Sequence, residues 1–276
     1  MTRLRLQFLA PAALVVVTLL VAPLLVVLAY SLMSRGVYGG VEAPYTLENY
    51  SRLFDSLYVA ILFRSFVMAA AATVVCLLLA FPLALFISRA ARRKRLLLHL
   101  VMIPFWTSFL VRTYAWMFLL RDTGLFNTIL LGLGLIAEPL PLLYNPGAVL
   151  LGLVYGYLPF MVLPLYASLE RLDRSLIEAA RDLYAPGWAV FTRVIVPLAK
   201  PGIAAGCLLV FIPSLGAYLT PDLLGGARSM MIGNFIQHEY LVVRDWPLGS
   251  AASLVLLATV LAGLWGYQRT GGLKPL

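Results

Sequence analysis

The residues best placed to do chemistry lie between Ser168 and Lys200, in SLERLDRSLIEAARDLYAPGWAVFTRVIVPLAK, a polar stretch set between two long apolar runs. It carries Glu170, Arg171, Asp173, Arg174, Glu178, Arg181, Asp182, Arg193 and Lys200. Acids and bases interleaved at helical spacing pair with one another and offer a docking surface; they do not assemble a reaction centre. Arg112 is the second notable group, the one cation within the run His99–Leu120. It lies eight residues from Leu120, which puts it about 12 Å below the end of that run at ~1.5 Å per residue. Snorkelling to the interface, pairing with a neighbouring helix, and a part in gating or a solute path are all open to it.

Bond-breaking chemistry is poorly provided for. There is no G-x-x-x-x-G-K-[ST] loop, so ATP is not bound and hydrolysed by that route. The two histidines, His99 and His238, fall on opposite sides of the bilayer in the topology below, which excludes a His-based metal centre and speaks against a Ser-His-Asp triad. No cofactor or metal is expected. All 12 acids fall in loops or at span ends, whereas ion-coupled transporters usually carry ionisable groups near the midplane.

The elements that must hold these residues are membrane helices. The 276 residues are 62% hydrophobic and only 12% charged, with mean hydropathy +0.93, outside the range of soluble domains. Charge-free runs cover Gln7–Ser34, Ser65–Ser88, Pro139–Leu169, Pro201–Pro221 and Trp246–Gln268, and His99–Leu120 makes six. Thr123–Ala137 is too short to span and reads as an interfacial or re-entrant helix. The expected class is therefore an all-α integral membrane protein with six transmembrane helices. Arg89, Arg92, Arg93, Lys94, Arg95 and the basic residues of the 168–200 segment lie on one side, with Arg3, Arg5, Arg269 and Lys274. Only Arg35, Arg52, Arg64, Arg121, Arg228 and Arg244 lie on the other, so both termini are expected in the cytoplasm. The net charge of +9 is mostly this topology signal and gives no support to nucleic-acid binding. Arg3 and Arg5 precede an apolar run too long for a signal peptide, so a retained first helix is expected. Cys76 and Cys207 fall inside spans, as buried apolar groups rather than a disulfide.

Locally, Ser175-Leu-Ile-Glu178 has the form of a capping box, predicting a helix from Leu176 through Ala179, Ala180, Arg181 and Leu183. Ala185-Pro186-Gly187 should end it, and Trp188–Val194 should form a second short helix closed before Pro197. Leu176, Ile177, Ala180 and Leu183 would be its apolar stripe. On the other side, TLENYSRLFDS reads as a short surface helix, and the loop Asp222–Pro247 as a Gly-Gly hinge followed by a helical pattern. Arg89–Arg95 reads as a basic anchor at the lipid surface. Asp245-Trp246-Pro247 reads as an N-cap followed by an interfacial tryptophan.

EAARDLYAPGWAVFTRVIVPLAKPGIAAG resembles the EAA signature of permease subunits in binding-protein-dependent ABC importers, matching at Glu178, Ala179, Ala180, Ile195 and Pro197. One position departs: the glycine that follows E-A-A-x-x-x in that family is Tyr184 here, and Gly187 stands three residues later. The resemblance continues in YTLENYSRLFDSLY, PFWTSFLVRTYAW, LVYGYLPFMVLPLYASLERLD, PDLLGGARSMMIGNFI and RDWPLGSA, which look like the permease subunits of spermidine/putrescine importers. It implies a type I ABC importer permease fold in which the segment 168–200 is a cytoplasmic coupling helix. The residues it nominates for contact with the ATPase are Ser175, Glu178, Ala179, Ala180, Leu183, Tyr184, Gly187 and Pro197. The implied partners are two ATP-binding subunits, a second homologous permease subunit and a periplasmic substrate-binding protein, in the bacterial inner membrane. A polyamine favours aromatic faces with a carboxylate at the mouth of its route, which makes Tyr218 and Asp222 the best pair; Trp106, Arg112 and Tyr114 are the further pathway candidates. The expected organisation is a first helix and external loop over 1–60, the transporter domain over 61–268, and a cytoplasmic tail over 269–276. A permease for another small organic solute and an ion-coupled secondary transporter are the alternatives.

Overall fold

A chain in hydrocarbon must satisfy its amides internally, so the apolar runs form helices wherever proline or a polar break does not intervene. The computed structural model describes residues 2–90, 92–226 and 229–269; Arg228, Lys274 and the tail positions 270–276 lie outside the described residues. The chain opens with α1 (Thr2–Ser31), which runs through Pro11 and Pro23. A short antiparallel hairpin follows, β1 (Met33–Arg35) and β2 (Val41–Tyr45), an addition to the all-helical expectation. Then come α2 (Glu48–Arg52), the surface helix foreseen in that loop but shorter, and α3 (Ser56–Arg89).

The expected single span His99–Leu120 is broken. Helix α4 (Lys94–Met102) passes into a 3-10 turn over Ile103–Trp106, and α5 (Phe109–Leu120) starts afresh. Pro104 supplies no amide hydrogen, and its carbonyl accepts both the amide of Thr107 at 3.4 Å and the Thr107 hydroxyl at 2.7 Å. Thr107 is extended, and the two helical halves are bent by 86°. The short helix α6 (Leu125–Gly132), within the predicted 123–137 segment, belongs to the second half.

The long helix α7 (Pro146–Glu170) begins at Asn145, whose Oδ1 accepts the amide of Ala148 at 2.9 Å, a cap worth about 1 kcal/mol. Helices α8 (Arg174–Asp182) and α9 (Gly187–Val190) follow. Contrary to expectation, no break precedes Pro197. A π-turn over Phe191–Ile195 carries α9 straight into α10 (Val196–Leu215), giving one continuous span over Gly187–Leu215. The wider turn accommodates the residue that brings no amide hydrogen to the ladder. After a π-turn at Pro221–Gly225 come α11 (Ile232–His238), a further π-turn at Glu239–Val243, and α12 (Trp246–Arg269). Among the described residues, five helices are long and apolar enough to cross a membrane, and the broken pair makes a sixth.

The chain divides into two units. The first holds the residues up to Ala60 with Phe235–Gly263. Within it, the Arg35 guanidinium donates to the carbonyl of Val243 at 2.7 Å, and Arg52 Nη2 lies 3.0 Å from Oδ2 of buried Asp245. Asp245 Oδ1 also accepts the amide of Leu248 at 3.1 Å, as expected of an N-cap.

The second unit holds Ile61–Asn234 and the end of α12 from Leu264. Its core joins Cys76, Ala80, Ala84 and Ile87 of α3 to Met161, Leu165 and Leu169 of α7, with Val190, Ile195, Ala199 and Val210. Gly202 lets α10 approach α7, because a Cβ there would fall 2.7 Å from the carbonyl oxygen of Pro164 and 2.6 Å from Ser168 Cβ. Small residues permitting backbone contact are how helices associate without a hydrophobic driving force.

Candidate functional site

The polar segment folds as α8, which packs on the π-turn at Phe191–Ile195 and shares a cavity with the ends of α3 and α7, but its caps differ from those read in the sequence. The N-cap is Asp173, whose Oδ1 accepts the amide of Ser175 at 2.9 Å; Ser175 is already inside the helix and forms no capping box with Glu178. A carboxylate two residues upstream, on an extended backbone, is a better acceptor than the serine hydroxyl. That amide hydrogen bond also holds the Asp173 carboxyl below its ordinary range. Glu178 is thereby free of capping. It lines a cavity of about 330 Å³ with Arg89, Arg174 and Arg181, the last two standing at i−4 and i+3 from it on the helix.

The C-terminus of α8 holds the larger surprise. The amide of Tyr184 donates to Arg181 at 2.8 Å and that of Ala185 to Ala180 at 3.2 Å, the two bonds of a Schellman motif. Tyr184 occupies the left-handed position at φ +55. Gly187, expected to be the hinge, instead opens α9 behind an extended Pro186, and its added Cβ would meet nothing within 4 Å. The turn has stayed in place and tyrosine fills it, at a cost of about 1–2 kcal/mol relative to glycine.

The expected apolar stripe is only half used. Ile177 and Ala180 pack on the core, whereas Leu176 and Leu183 are exposed. Ala179 is exposed as well. Tyr184 is 96% exposed and Trp188 65%, so among the described residues apolar side chains after the end of α8 are left largely uncovered. Trp188 is the residue here that sequence reasoning missed; its one signal was a tryptophan directly after a Pro-Gly turn, between two charged stretches. Pro197 lies one residue into α10, within the continuous helix rather than beyond a stop.

Among the described residues, Arg112 pairs with no carboxylate, and it is buried rather than reaching out to an interface. It is 8% exposed, its Nε and Nη1 have no hydrogen-bond partner, and its Cζ lies 5.9, 5.5 and 5.9 Å from the ring centres of Phe105, Phe109 and Tyr155. Those are cation–π distances. Phe105 leans edge-on against Phe160 and Phe109 stacks with Tyr157, so α7 braces two of the rings; it carries the third, Tyr155, which meets Trp116 of α5 edge-on. Gly156 makes the room: a Cβ there would strike Phe109 at 2.7 Å. Phe105 and Phe109 went unnoticed in the sequence because phenylalanine is unremarkable in a span; only the partnerless arginine pointed here.

The other nominated pathway residues do not join this cluster. Trp106 is 77% exposed at the end of the 3-10 turn, and Tyr114 lies two residues past Arg112, on the other side of α5. Tyr218 and Asp222 are one turn apart, linked by the Asp222 amide donating to Tyr218 at 3.0 Å, with Tyr218 half exposed.

The spermidine/putrescine transport system permease protein PotB of Escherichia coli (strain K12) is 46% identical over 243 residues, 88% of each chain. PotB of Haemophilus influenzae is 44% identical over 252 residues, 91% of this chain and 88% of that one. The inner membrane ABC transporter permease protein YdcU of E. coli is 35% identical over 86% of this chain and 79% of its own. Among solved structures, a bacterial alginate ABC transporter in complex with an alginate pentasaccharide-bound periplasmic protein shares the fold, with a TM-score of 0.74 at 17% identity over 97% of this chain and 94% of that one. Residues 80–268, from the second half of α3 to the end of α12, match the family described as the binding-protein-dependent transport system inner membrane component. With relatives that align over most of their own length as well, the chain belongs to that family.

Proposed function

We propose that this chain is one transmembrane subunit of an ATP-driven importer that carries polyamines of the spermidine/putrescine class across the bacterial inner membrane. The names of its relatives support the solute class. The observation that carries the mechanism is the exposed apolar residues that follow α8, Leu183, Tyr184 and Trp188. A polar helix followed within six residues by three exposed apolar side chains offers a partner an anchor. The partner is an ATP-binding subunit, one of two, since the chain has no phosphate-binding loop of its own.

In this reading α8 is the coupling helix, with Ser175, Glu178, Ala179, Ala180, Leu183, Tyr184, Gly187 and Pro197 at or behind the docking surface. Both termini and α8 face the cytoplasm in this reading, which the distribution of Lys and Arg supports. A second, homologous permease subunit completes the pathway, and a periplasmic binding protein delivers solute. Residues 1–60 add a first helix and an external loop to a transporter domain over 61–268, with 269–276 as a cytoplasmic tail. Trp106, Arg112, Tyr114, Tyr218 and Asp222 face or approach the route. Closure of the ATPase pair pulls on the coupling helices and turns the bundle outward. Solute-loaded binding protein and ATP must both prefer that state, because a ligand shifts an equilibrium only by its differential affinity.

The test is co-purification from native membranes, with ATPase activity measured against a panel of polyamines and the cognate binding protein. Stimulation by spermidine or putrescine supports the reading. A complex that lacks ATP-binding subunits, or that imports solute without ATP, overturns it.

A further inference from the structure

Three observations coincide at one level of the second unit. The span is broken at Thr107, and non-helical backbone at membrane depth is tolerated where it is buried in protein or lines a water-filled cavity. A guanidinium is buried beside the break with two nitrogens lacking any hydrogen-bond partner. Three aromatic rings surround it, one from the 3-10 turn, one from the start of α5 and one from α7. A buried cation ordinarily finds a carboxylate or carbonyls; this one has rings instead.

We propose that Phe105, Phe109 and Tyr155 form a cation site on the translocation route, and that Arg112 is its resident occupant, displaced when an ammonium group of the solute takes its place. The identity of that cation rests on the polyamine reading above. The cage suits the task because aromatic faces bind alkylammonium and guanidinium groups alike, without directional hydrogen bonds. Nothing holds Nε or Nη1 of Arg112 except the rings, so displacement breaks no hydrogen bond at those atoms. A route that has an internal cation to close it stays shut to stray ions and opens to a solute that reproduces the cation. No carboxylate is needed in the span, and none is present there.

The test uses the whole importer complex in lipid nanodiscs without nucleotide, with tetramethylammonium as the probe of the cage. Arg112→Met keeps the apolar bulk and vacates the cage, so it should bind tetramethylammonium about tenfold more tightly than the wild type. Adding Tyr155→Leu to Arg112→Met should abolish that gain. If Arg112→Met binds no more tightly than the wild type, or if the added Tyr155→Leu leaves the gain intact, the proposal is overturned. Tyr155→Leu alone, with Arg112 retained, provides a second reading should Arg112→Met fail to assemble: the KM for ATP-driven uptake should rise several-fold, and an unchanged KM overturns the proposal. Spermidine uptake by the wild-type complex is measured in parallel. Its absence would sink the polyamine reading while leaving the tetramethylammonium result to decide the cage.

Discussion

The amide of Ala185 reaches back to the carbonyl of Ala180 at 3.2 Å across a turn in which Tyr184 takes φ +55. A glycine would occupy that position without strain, yet a tyrosine occupies it with its side chain almost wholly in solvent. The strain lies on the backbone and the benefit must lie on the side chain. Tyr184→Gly should therefore do two opposite things: raise the stability of the α8 terminus by about 1 kcal/mol, and weaken association with the ATP-binding subunit. Amide exchange across Ala180–Ala185 reads the first effect, and pull-down with the ATPase reads the second. If association is unaffected, Tyr184 is no anchor.

Glu178 lines its groove with Arg89, Arg174 and Arg181 and takes no part in capping. Reversing its charge places four cations in one small space and leaves the caps of α8 untouched. Glu178→Lys is expected to lower ATP-dependent uptake more than about tenfold in a complex that still assembles. Uptake equal to wild type would remove α8 from the coupling mechanism.

The spans could be read from the sequence because charge is so costly in hydrocarbon that its absence marks them. The break at Thr107 could not, since Phe105, Trp106 and Phe109 keep the run apolar while Pro104 and the Thr107 hydroxyl remake the local hydrogen bonds. Likewise the polar helix was legible from its mixed charge, but its start turned on a competition between Asp173 and Glu178 for the amide of Ser175. That contest is settled by backbone geometry two residues upstream. Its end was misplaced because proline followed by glycine usually marks a turn, and nothing in the spelling of Tyr184 announces a left-handed residue. The cage around Arg112 needed the third dimension: Tyr155 comes from a different helix, 43 positions along the chain.

In the first unit, the Glu239 carboxyl is pushed above its ordinary value by burial, with the nearby Asp245 charge adding to the effect. His238, Arg52 and Arg35 pull the other way without cancelling it. A carboxyl raised in the folded state holds its proton more tightly there than in the unfolded chain. The folded state is therefore favoured as pH falls through the raised value toward 4.5, and disfavoured as pH rises through it. Glu239→Gln should raise the Tm of the complex at pH 8, with the advantage shrinking as the buffer is taken down to pH 5. A pH-independent difference between variant and wild type would place the effect in packing rather than ionisation.

A Cβ is admitted at Gly187 and refused at Gly202. At Gly187 it meets nothing within 4 Å, and the backbone there is not left-handed. At Gly202 it lands 2.7 Å from a backbone carbonyl oxygen that cannot move without α7. Gly187→Ala is thus expected to leave both stability and ATPase coupling near wild type, although proline-glycine turns are usually intolerant. Gly202→Ala should force α10 away from α7 at about 1–3 kcal/mol, a fall in Tm of roughly 2–4 °C for each kcal/mol. Because α8 and α9 lie between these two helices in sequence, the same displacement should loosen the coupling segment, so ATPase stimulation should fall with stability in Gly202→Ala. Thermal melts and ATPase assays on the two alanine variants, in one lipid, check both halves. If Gly187→Ala is the more damaging variant, the hinge of this segment lies at Gly187 after all and the assignment of the turn to Tyr184 is wrong.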